Sequence, residues 1–404
     1  MGDKASRVHV TGPLTAYASG FAAELSRVGY RETPTADQVR LLAHLSRWLA
    51  SEGLGAAELT PAVGDAFLAA RRAAGYTLWL SPKALMPLLQ YLRRLGAAPP
   101  EPALVVTPTE TVLARYREYL TSERGLTAAS AEGYAYAVRQ FLHGRERPDG
   151  SLALNELSPA DITAFVVAEL PGRRAGSAKL TVTALRSLLR FLHVEGVLAR
   201  SLVLAVPSVA GTRLAGLPKA LGPGQVQQLL TGCDRGTAVG RRDFAVLTVL
   251  ARLGLRAGEL TALELGDVDW RGGEVIVRGK GGRQERLPLP VDAGRAIVAY
   301  LRRGRPAAES RHLFLSVRAP HRPLTSSGVF AIVVGAAHKA GLPPLGPHRL
   351  RHTAATEMLR AGAPLSEIGQ LLRHRSSLST AIYAKVDRDA LRQLARPWPT
   401  GGAA

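Results

Sequence analysis

The sequence predicts a mainly α-helical fold with a small β-sheet: helical N-terminal modules followed by a mixed α/β C-terminal module. Three observations predict it. Apolar residues recur at i, i+3 and i+4 through several segments that stop at glycine. One stretch, residues 272–290, alternates like a pair of strands. Two segments rich in proline and glycine divide the 404 residues into parts that are each long enough to bury a core.

The helical signal opens with "VRLLAHLSRWLASEG" (39–53) and "PKALMPLLQYLRRLG" (82–96). It returns in "AEGYAYAVRQFLHG" and "LTVTALRSLLRFLHVEG" further on. The return is also an internal echo. "LTPAVGDAFL" (59–68) matches "LSPADITAFV" (157–166) at an offset of 98, and "SPKALMPLLQYLRRLG" (81–96) matches "TVTALRSLLRFLHVEG" (181–196) at an offset of 100. In the second pair Ala84, Leu85, Leu88, Leu89, Leu92 and Gly96 recur as Ala184, Leu185, Leu188, Leu189, Leu192 and Gly196. The pattern predicts a duplicated four-helix module. "GAAPPEPALVVTPTE" (96–110) joins the copies, and "VPSVAGTRLAGLPKALGPG" (206–224) leads into the third part. The expected domains are therefore 1–105, 106–205, a linker at 206–218, and 219–404. In the last, "EVIVR" enters a turn at Gly279-Lys280-Gly281-Gly282 and "RQERLPLP" leaves it. The glycines would let the lysine ammonium approach a ligand closely.

Charge narrows the partner. The formal net charge is +20. Residues 1–105 carry 11 basic and 8 acidic side chains and residues 106–210 carry 12 and 10, whereas residues 211–404 carry 29 and 14. A surplus of +15 in the C-terminal half points to a polyanion there. No apolar run approaches the ~20 residues that span a bilayer, so no membrane partner is expected. The opening "MGDKASRVHV" is polar, without the apolar stretch of a secretory signal. A single cysteine, Cys233, excludes internal disulfides and a cysteine-based zinc cage. A reducing, cytoplasmic setting is expected.

Within the basic half, "GPHRLRHTAATEML" (346–359) crowds His348, Arg349, Arg351 and His352 at a helix start. Three readings compete. As a metal site, His348 and His352 would share a face at i, i+4, but Arg349 holds the place of the glutamate in the zinc-protease motif, and two guanidinium groups would repel a dication. A plain basic surface is the usual fate of a charge run. A phosphate pocket fits better: Pro347 suits the first helical turn, arginine's fork matches phosphate oxygens, and histidine exchanges protons near neutrality. Two other stretches complete such a pocket. "LARLGLRAGELTALELGDVDW" (250–270) sets Arg256 at a Gly-rich bend with Glu259 one turn on. "LSEIGQLLRHRSSLSTAIYAKV" (365–386) has Ser366 as a helix cap, then His374 and Tyr383.

These residues carry a resemblance. "GLRAGEL", "GKGGRQERLPLP", "HRLRHTAATEML" and "LLRHRSSLSTAIY" resemble, in order, the boxes of the catalytic domain of the tyrosine recombinases, the phage integrase family. The likeness covers residues 219–386, and residues 108–205 resemble that family's helical core-binding (SAM-like) domain. Residues 1–105 are extra. The resemblance implies that Tyr383 attacks a DNA phosphodiester to give a 3′-phosphotyrosine. Arg256 and Arg351 would clamp the non-bridging oxygens, Lys280 would protonate the leaving 5′-oxygen, and His348 would bond the phosphate or take the tyrosine proton. His374 would contact another phosphate oxygen, Glu259 would orient the arginines, and His352 would support. Neither cofactor nor metal is implied. The partners implied are double-stranded DNA at core sites, further copies in a homo-tetramer on synapsed DNA, and accessory proteins. One departure is Arg373, where the family commonly has glycine; it is either neutral or adds a contact to the DNA backbone.

Integration, excision or transposition of a mobile element is the expected role. The rivals are a dimer resolvase of the Xer kind, a type IB topoisomerase that reseals the same strand, and a regulator that binds DNA without cutting it. The full set of Arg256, Lys280, His348, Arg351, His374 and Tyr383 speaks against the last. Residues 1–105 would bind accessory DNA sites, extend the clamp on the core site, or contact protein.

Overall fold

The computed structural model describes residues 7–101, 107–209, 219–279, 283–373 and 380–385. They form two compact units, one of residues 102–215 and one that unites 1–101 with 216–404.

Four helices make up the N-terminal part: α1 (Ala18–Arg27), α2 (Glu32–Ser51), α3 (Pro61–Ala73) and α4 (Pro82–Arg94). Apolar periodicity places the start of α2 at residue 39, yet the helix begins at Glu32. Its first two turns, "ETPTADQ", are too polar to register as periodic, and Pro34 is tolerated there because the first-turn N–H groups have no intrahelical partner. Phe21, Leu42, Leu45, Phe67, Leu88 and Leu92 fill the centre.

The unit of residues 102–215 has its own four: α5 (Pro108–Ser122), α6 (Ala128–His143), α7 (Pro159–Glu169) and α8 (Ala175–Val194). Its core holds Tyr116, Phe141, Leu185, Leu188 and Leu192, and the buried Tyr116 hydroxyl donates to Ala184 O at 3.1 Å.

The repeated sequence folds into repeated local structure. Thr60 caps α3 by accepting from Val63 N at 3.3 Å, and Ser158 caps α7 by accepting from Asp161 N at 3.4 Å, each followed by proline at the first helical position. The helices α4 and α8 end alike. Gly96 (φ +68°) and Gly196 (φ +74°) turn left-handed, and the next N–H closes on Leu92 O and Leu192 O, each at 2.9 Å. Leu85, Leu88 and Leu92 are buried as Leu185, Leu188 and Leu192 are. Trp48 packs on Phe67 with centroids 5.7 Å apart, and Phe141 on Phe165 at 5.1 Å.

The C-terminal part wraps a single helix. In chain order it runs α9 (Gln225–Thr231), α10 (Ala238–Leu253), α11 (Ala257–Thr261), β1 (Val268–Asp269), β2 (Glu274–Arg278), β3 (Gln284–Pro288), α12 (Val291–Arg303), α13 (Ser326–Lys339), α14 (Pro347–Arg360), α15 (Leu365–Leu371) and α16 (Ala381–Ala384). Residues Ala245 to Leu250 of α10 are buried on every side, with α12 and α14 both packed against the helix. An all-round apolar helix is what a core centre demands. The sheet is antiparallel in the order β1-β2-β3, with Val275 opposite Leu287 and Ile276 opposite Arg286. Period-two alternation sends Val275, Val277 and Leu287 into the core. The two-residue strand β1 is too short to carry a sequence signal. A smaller cluster of Ala355, Ile368, Leu372 and Tyr383 ties α14, α15 and α16 together. Ser366, expected to cap α15, lies inside it instead; Pro364 is the cap residue, and its ring-fixed φ of −66° starts the helix at Leu365.

Leu88 is buried among the residues that also pack Trp48. Leu88→Ala is expected to destabilise the N-terminal part by about 2–5 kcal/mol, read as an earlier denaturant transition in tryptophan fluorescence with little change in the far-ultraviolet signal of the native chain.

Candidate active site

The site begins where α10 stops. Gly254 turns left-handed (φ +57°), and a Cβ on it would stand 2.7 Å from Leu372 Cδ2. Only glycine lets the two segments come this close. Two residues on, Arg256 occupies the N-cap of α11 and Glu259 its third position. The Glu259 carboxylate accepts from the Arg256 backbone N–H at 2.9 Å and from Arg256 Nη1 at 2.5 Å. The Glu259 side chain is 5% exposed, that of Arg256 44%. Burial alone would raise the Glu259 carboxyl. The Arg256 N–H and the neighbouring guanidinium of Arg373 outweigh it and hold the group below its ordinary value, so it is ionised at neutral pH.

α14 starts at Pro347, as the spacing predicts, and buries Leu350 and Ala354. Arg349 turns aside, donating through Nε to Lys219 O at 3.0 Å. Arg351 goes inward and keeps 1% of its side chain in contact with water. Its Nη1 donates to Gly254 O at 2.6 Å, its Nη2 to Leu372 O, and Glu259 lies 4.0 Å from it. Burial, with the repulsion of Arg256, lowers its pKa to about 10, which leaves it charged at neutral pH.

α15 ends in a turn that faces both arginines. Leu372 O accepts from Arg351, and Arg373 O accepts from Arg256 Nη2 at 3.3 Å. Arg373 itself is left-handed (φ +55°), and its Nη2 reaches Glu259 Oε2 at 2.9 Å. Three guanidinium groups thus gather about one carboxylate.

Tyr383, on α16, is 1% exposed. Its hydroxyl lies 2.9 Å from His352 Nδ1, and the His352 ring stacks edge-on against His348 with centroids 4.6 Å apart. Burial first, then His348 and Arg351, lower the His352 pKa to about 4, so the ring is neutral at pH 7. With the proton on Nε2, Nδ1 accepts from the phenol O–H. Burial raises the Tyr383 pKa against the pull of Arg351. The arrangement can grip an anionic ester with guanidinium groups and set an oxygen nucleophile beside an imidazole.

Arg256, Glu259, His348, Arg351, His352 and Tyr383 therefore fall in one place, whereas Lys280 and His374 lie outside the described residues. The imidazole on the tyrosine is His352, to which the sequence reading gave only a supporting place. Helical spacing put it beside His348 but carried nothing about Tyr383, 31 positions away. Arg373 was singled out only as a departure, and its bond to Glu259 has no local signal.

Residues 219–389 match the sequence profile of the phage integrase family, and residues 113–196 that of the phage integrase N-terminal SAM-like domain. A Sinorhizobium fredii (strain NBRC 101917 / NGR234) protein provisionally named integrase/recombinase y4rA is 41% identical over 398 residues, 96% of this chain and 95% of the relative. The chain belongs to the phage integrase family. Members of this family, the tyrosine recombinases, are enzymes that cleave and rejoin DNA. Tyrosine recombinase XerD of Mycobacterium tuberculosis (strain ATCC 25618 / H37Rv) is 34% identical over 298 residues, covering 69% of this chain and 94% of XerD. Among solved structures, XerH recombinase bound to palindromic difH substrate in a post-cleavage complex overlays with a TM-score of 0.56 at 18% identity, across 82% of this chain and 93% of XerH. A lambda integrase dimer bound to a COC′ core site gives 0.52 at 18%, across 80% and 90%. At such identities the overlays show the fold: mainly helical, with the small sheet of the recombinase catalytic domain.

The depressed pKa of His352 has a definite sign. The unfolded chain takes up this proton near 6.5 and the folded chain only near 4, so acid favours unfolding. The His352 ring signals are expected to titrate near pH 4 by NMR. Stability should fall as pH drops from about 6.5 to about 4, and His352→Asn should remove that component of the loss.

Proposed function

We propose that this recombinase is an integrase that cuts and rejoins DNA through a 3′-phosphotyrosine at Tyr383, serving integration, excision or transposition of a mobile element. The observation that carries the reading is the Tyr383 hydroxyl held at 2.9 Å by a neutral imidazole, on the helix that also carries the buried guanidinium of Arg351.

The phenol needs a base, since its pKa lies above its ordinary value. His352 takes the proton as Tyr383 Oη bonds to phosphorus and the P–O5′ bond breaks. Arg256 and Arg351 bind the non-bridging oxygens, where negative charge builds. His348, exposed in the first turn of α14 and next to His352, contacts the phosphate. Lys280 protonates the leaving 5′-oxygen and His374 adds a phosphate contact, as their family boxes imply. The phosphotyrosine conserves the bond energy, so the 5′-hydroxyl of a second strand reverses the attack and completes the exchange. Glu259 keeps Arg256 in place.

The surplus of +15 in residues 211–404 fits a DNA duplex. Exchange between two duplexes calls for several copies of the chain, a homo-tetramer on synapsed core sites, working in the cytoplasm. The Xer relative leaves about three tenths of this chain uncovered, while the y4rA relative spans nearly all of it. That difference supports a mobile-element role over dimer resolution. Residues 1–105 echo the helices of 106–205 with the basic side chains relocated: at the offset of 100, Arg186 and Arg190 become Met86 and Gln90, while Thr183, His193 and Val194 become Lys83, Arg93 and Arg94. The relocated cations fit a separate DNA site or a contact with protein rather than a copy of the same grip.

Purified chain is mixed with sheared genomic DNA of the host, quenched in detergent, and the attached DNA sequenced. Adducts through 3′ ends at discrete sites are expected, with none from Tyr383→Phe despite retained binding. Arg256→Ala and Arg351→Ala should each slow adduct formation by about 100-fold or more, and His352→Ala by a similar factor. Scattered adducts would favour a topoisomerase. Bound DNA without adducts would favour a regulator.

A further inference from the structure

Arg373 stands where the backbone asks for glycine. Its φ of +55° is in the left-handed region, and it is one of two non-glycine residues among those described to adopt it. A side chain that accepts this conformation needs a compensating bond. Arg373 is buried, donating through Nη2 to Glu259 Oε2 at 2.9 Å and through Nη1 to Leu371 O at 2.7 Å. Its own carbonyl accepts from Arg256 Nη2, and Arg256 Nη1 returns to Glu259. The circuit closes: Arg256 and Arg373 are linked once through the carboxylate and once through the Arg373 carbonyl. The preceding carbonyl, that of Leu372, accepts from Arg351.

We propose that Arg373 is a positioning residue for the phosphate grip. Its guanidinium pins the Leu372–Arg373 turn to Glu259, and the two carbonyls of that turn then fix the directions of Arg351 and Arg256. This rests on the reading of Arg256 and Arg351 as the groups that hold the scissile phosphate. A residue with a purely structural role would affect stability alone; a positioning residue affects the rate at saturating DNA.

The test compares Arg373→Gly, Arg373→Lys and Glu259→Gln in the full chain. Glycine suits the φ, which offsets part of the stability lost with the ion pair, and rates are read well below the melting temperature of each variant. On a duplex recovered from the adduct sequencing, Arg373→Gly is expected to lower the maximal rate of adduct formation by about tenfold or more with the half-saturating DNA concentration unchanged. Arg373→Lys should recover part of the rate, and Glu259→Gln should gain no further defect when Arg373→Gly is added. A second readout uses sodium tungstate, which carries the charge and oxygens of a phosphate. The part of its thermal stabilisation that Arg256→Ala abolishes should also weaken in Arg373→Gly. Wild-type rate and wild-type tungstate response in Arg373→Gly, or additive defects with Glu259→Gln, would overturn the proposal. A wild-type chain with neither adducts nor an Arg256-dependent tungstate response would instead overturn the phosphate-grip reading beneath it.

Discussion

The C-terminal part depends on one buried anion. Glu259 has almost no water around it, and an unpaired carboxylate in such a place would take up a proton. It stays charged because Arg256 and Arg373 approach it from different segments and Arg351 stands 4.0 Å off. Arg351 and Arg373 would in turn be costly to bury alone. Removing one partner of a buried pair costs about 3–5 kcal/mol, so the end of α10, the start of α11, the inner face of α14 and the turn after α15 hold each other in register. Under the proposed mechanism, the guanidinium groups that grip the phosphate are thereby kept charged and aimed before any DNA arrives, which is where electrostatic catalysis obtains its advantage.

The hydrophobic clusters give this polar knot its walls. The Ala245–Leu250 stretch of α10 is buried all round, so the helix cannot tilt without disturbing both α12 and α14. The small cluster under Tyr383 does a narrower task, seating α16 against Ala355, Ile368 and Leu372 so that the phenol lies under His352. Apolar packing places the backbone, and the ion pairs then hold the arginine rotamers.

Much of this was legible in the sequence, for reasons that differ by element. α4 and α8 could be read because leucine recurs with helical period and glycine ends each helix at a positive φ. β2 and β3 could be read because "EVIVR" alternates about a glycine turn. The polar first turns of α2 escaped because periodicity sees only apolar residues, and β1 escaped because two residues have no period. Arg256, Glu259, Arg351 and Tyr383 stood out through the company they keep in ordered boxes. The pairing of His352 with Tyr383 and of Arg373 with Glu259 did not, since each joins residues far apart in the chain and depends on helix docking that no local rule encodes.

The acceptors for Arg351 and for the outer nitrogen of Arg256 are main-chain carbonyls: those of Gly254, Leu372 and Arg373. A carbonyl survives every substitution of the side chain that follows it. Mutational drift at residue 372 can therefore alter packing but cannot delete an acceptor, and only changes that move the chain itself can. The geometry of the site is carried by the path of the backbone, so the side chain at 372 answers to packing alone, while Gly254 answers to the path itself.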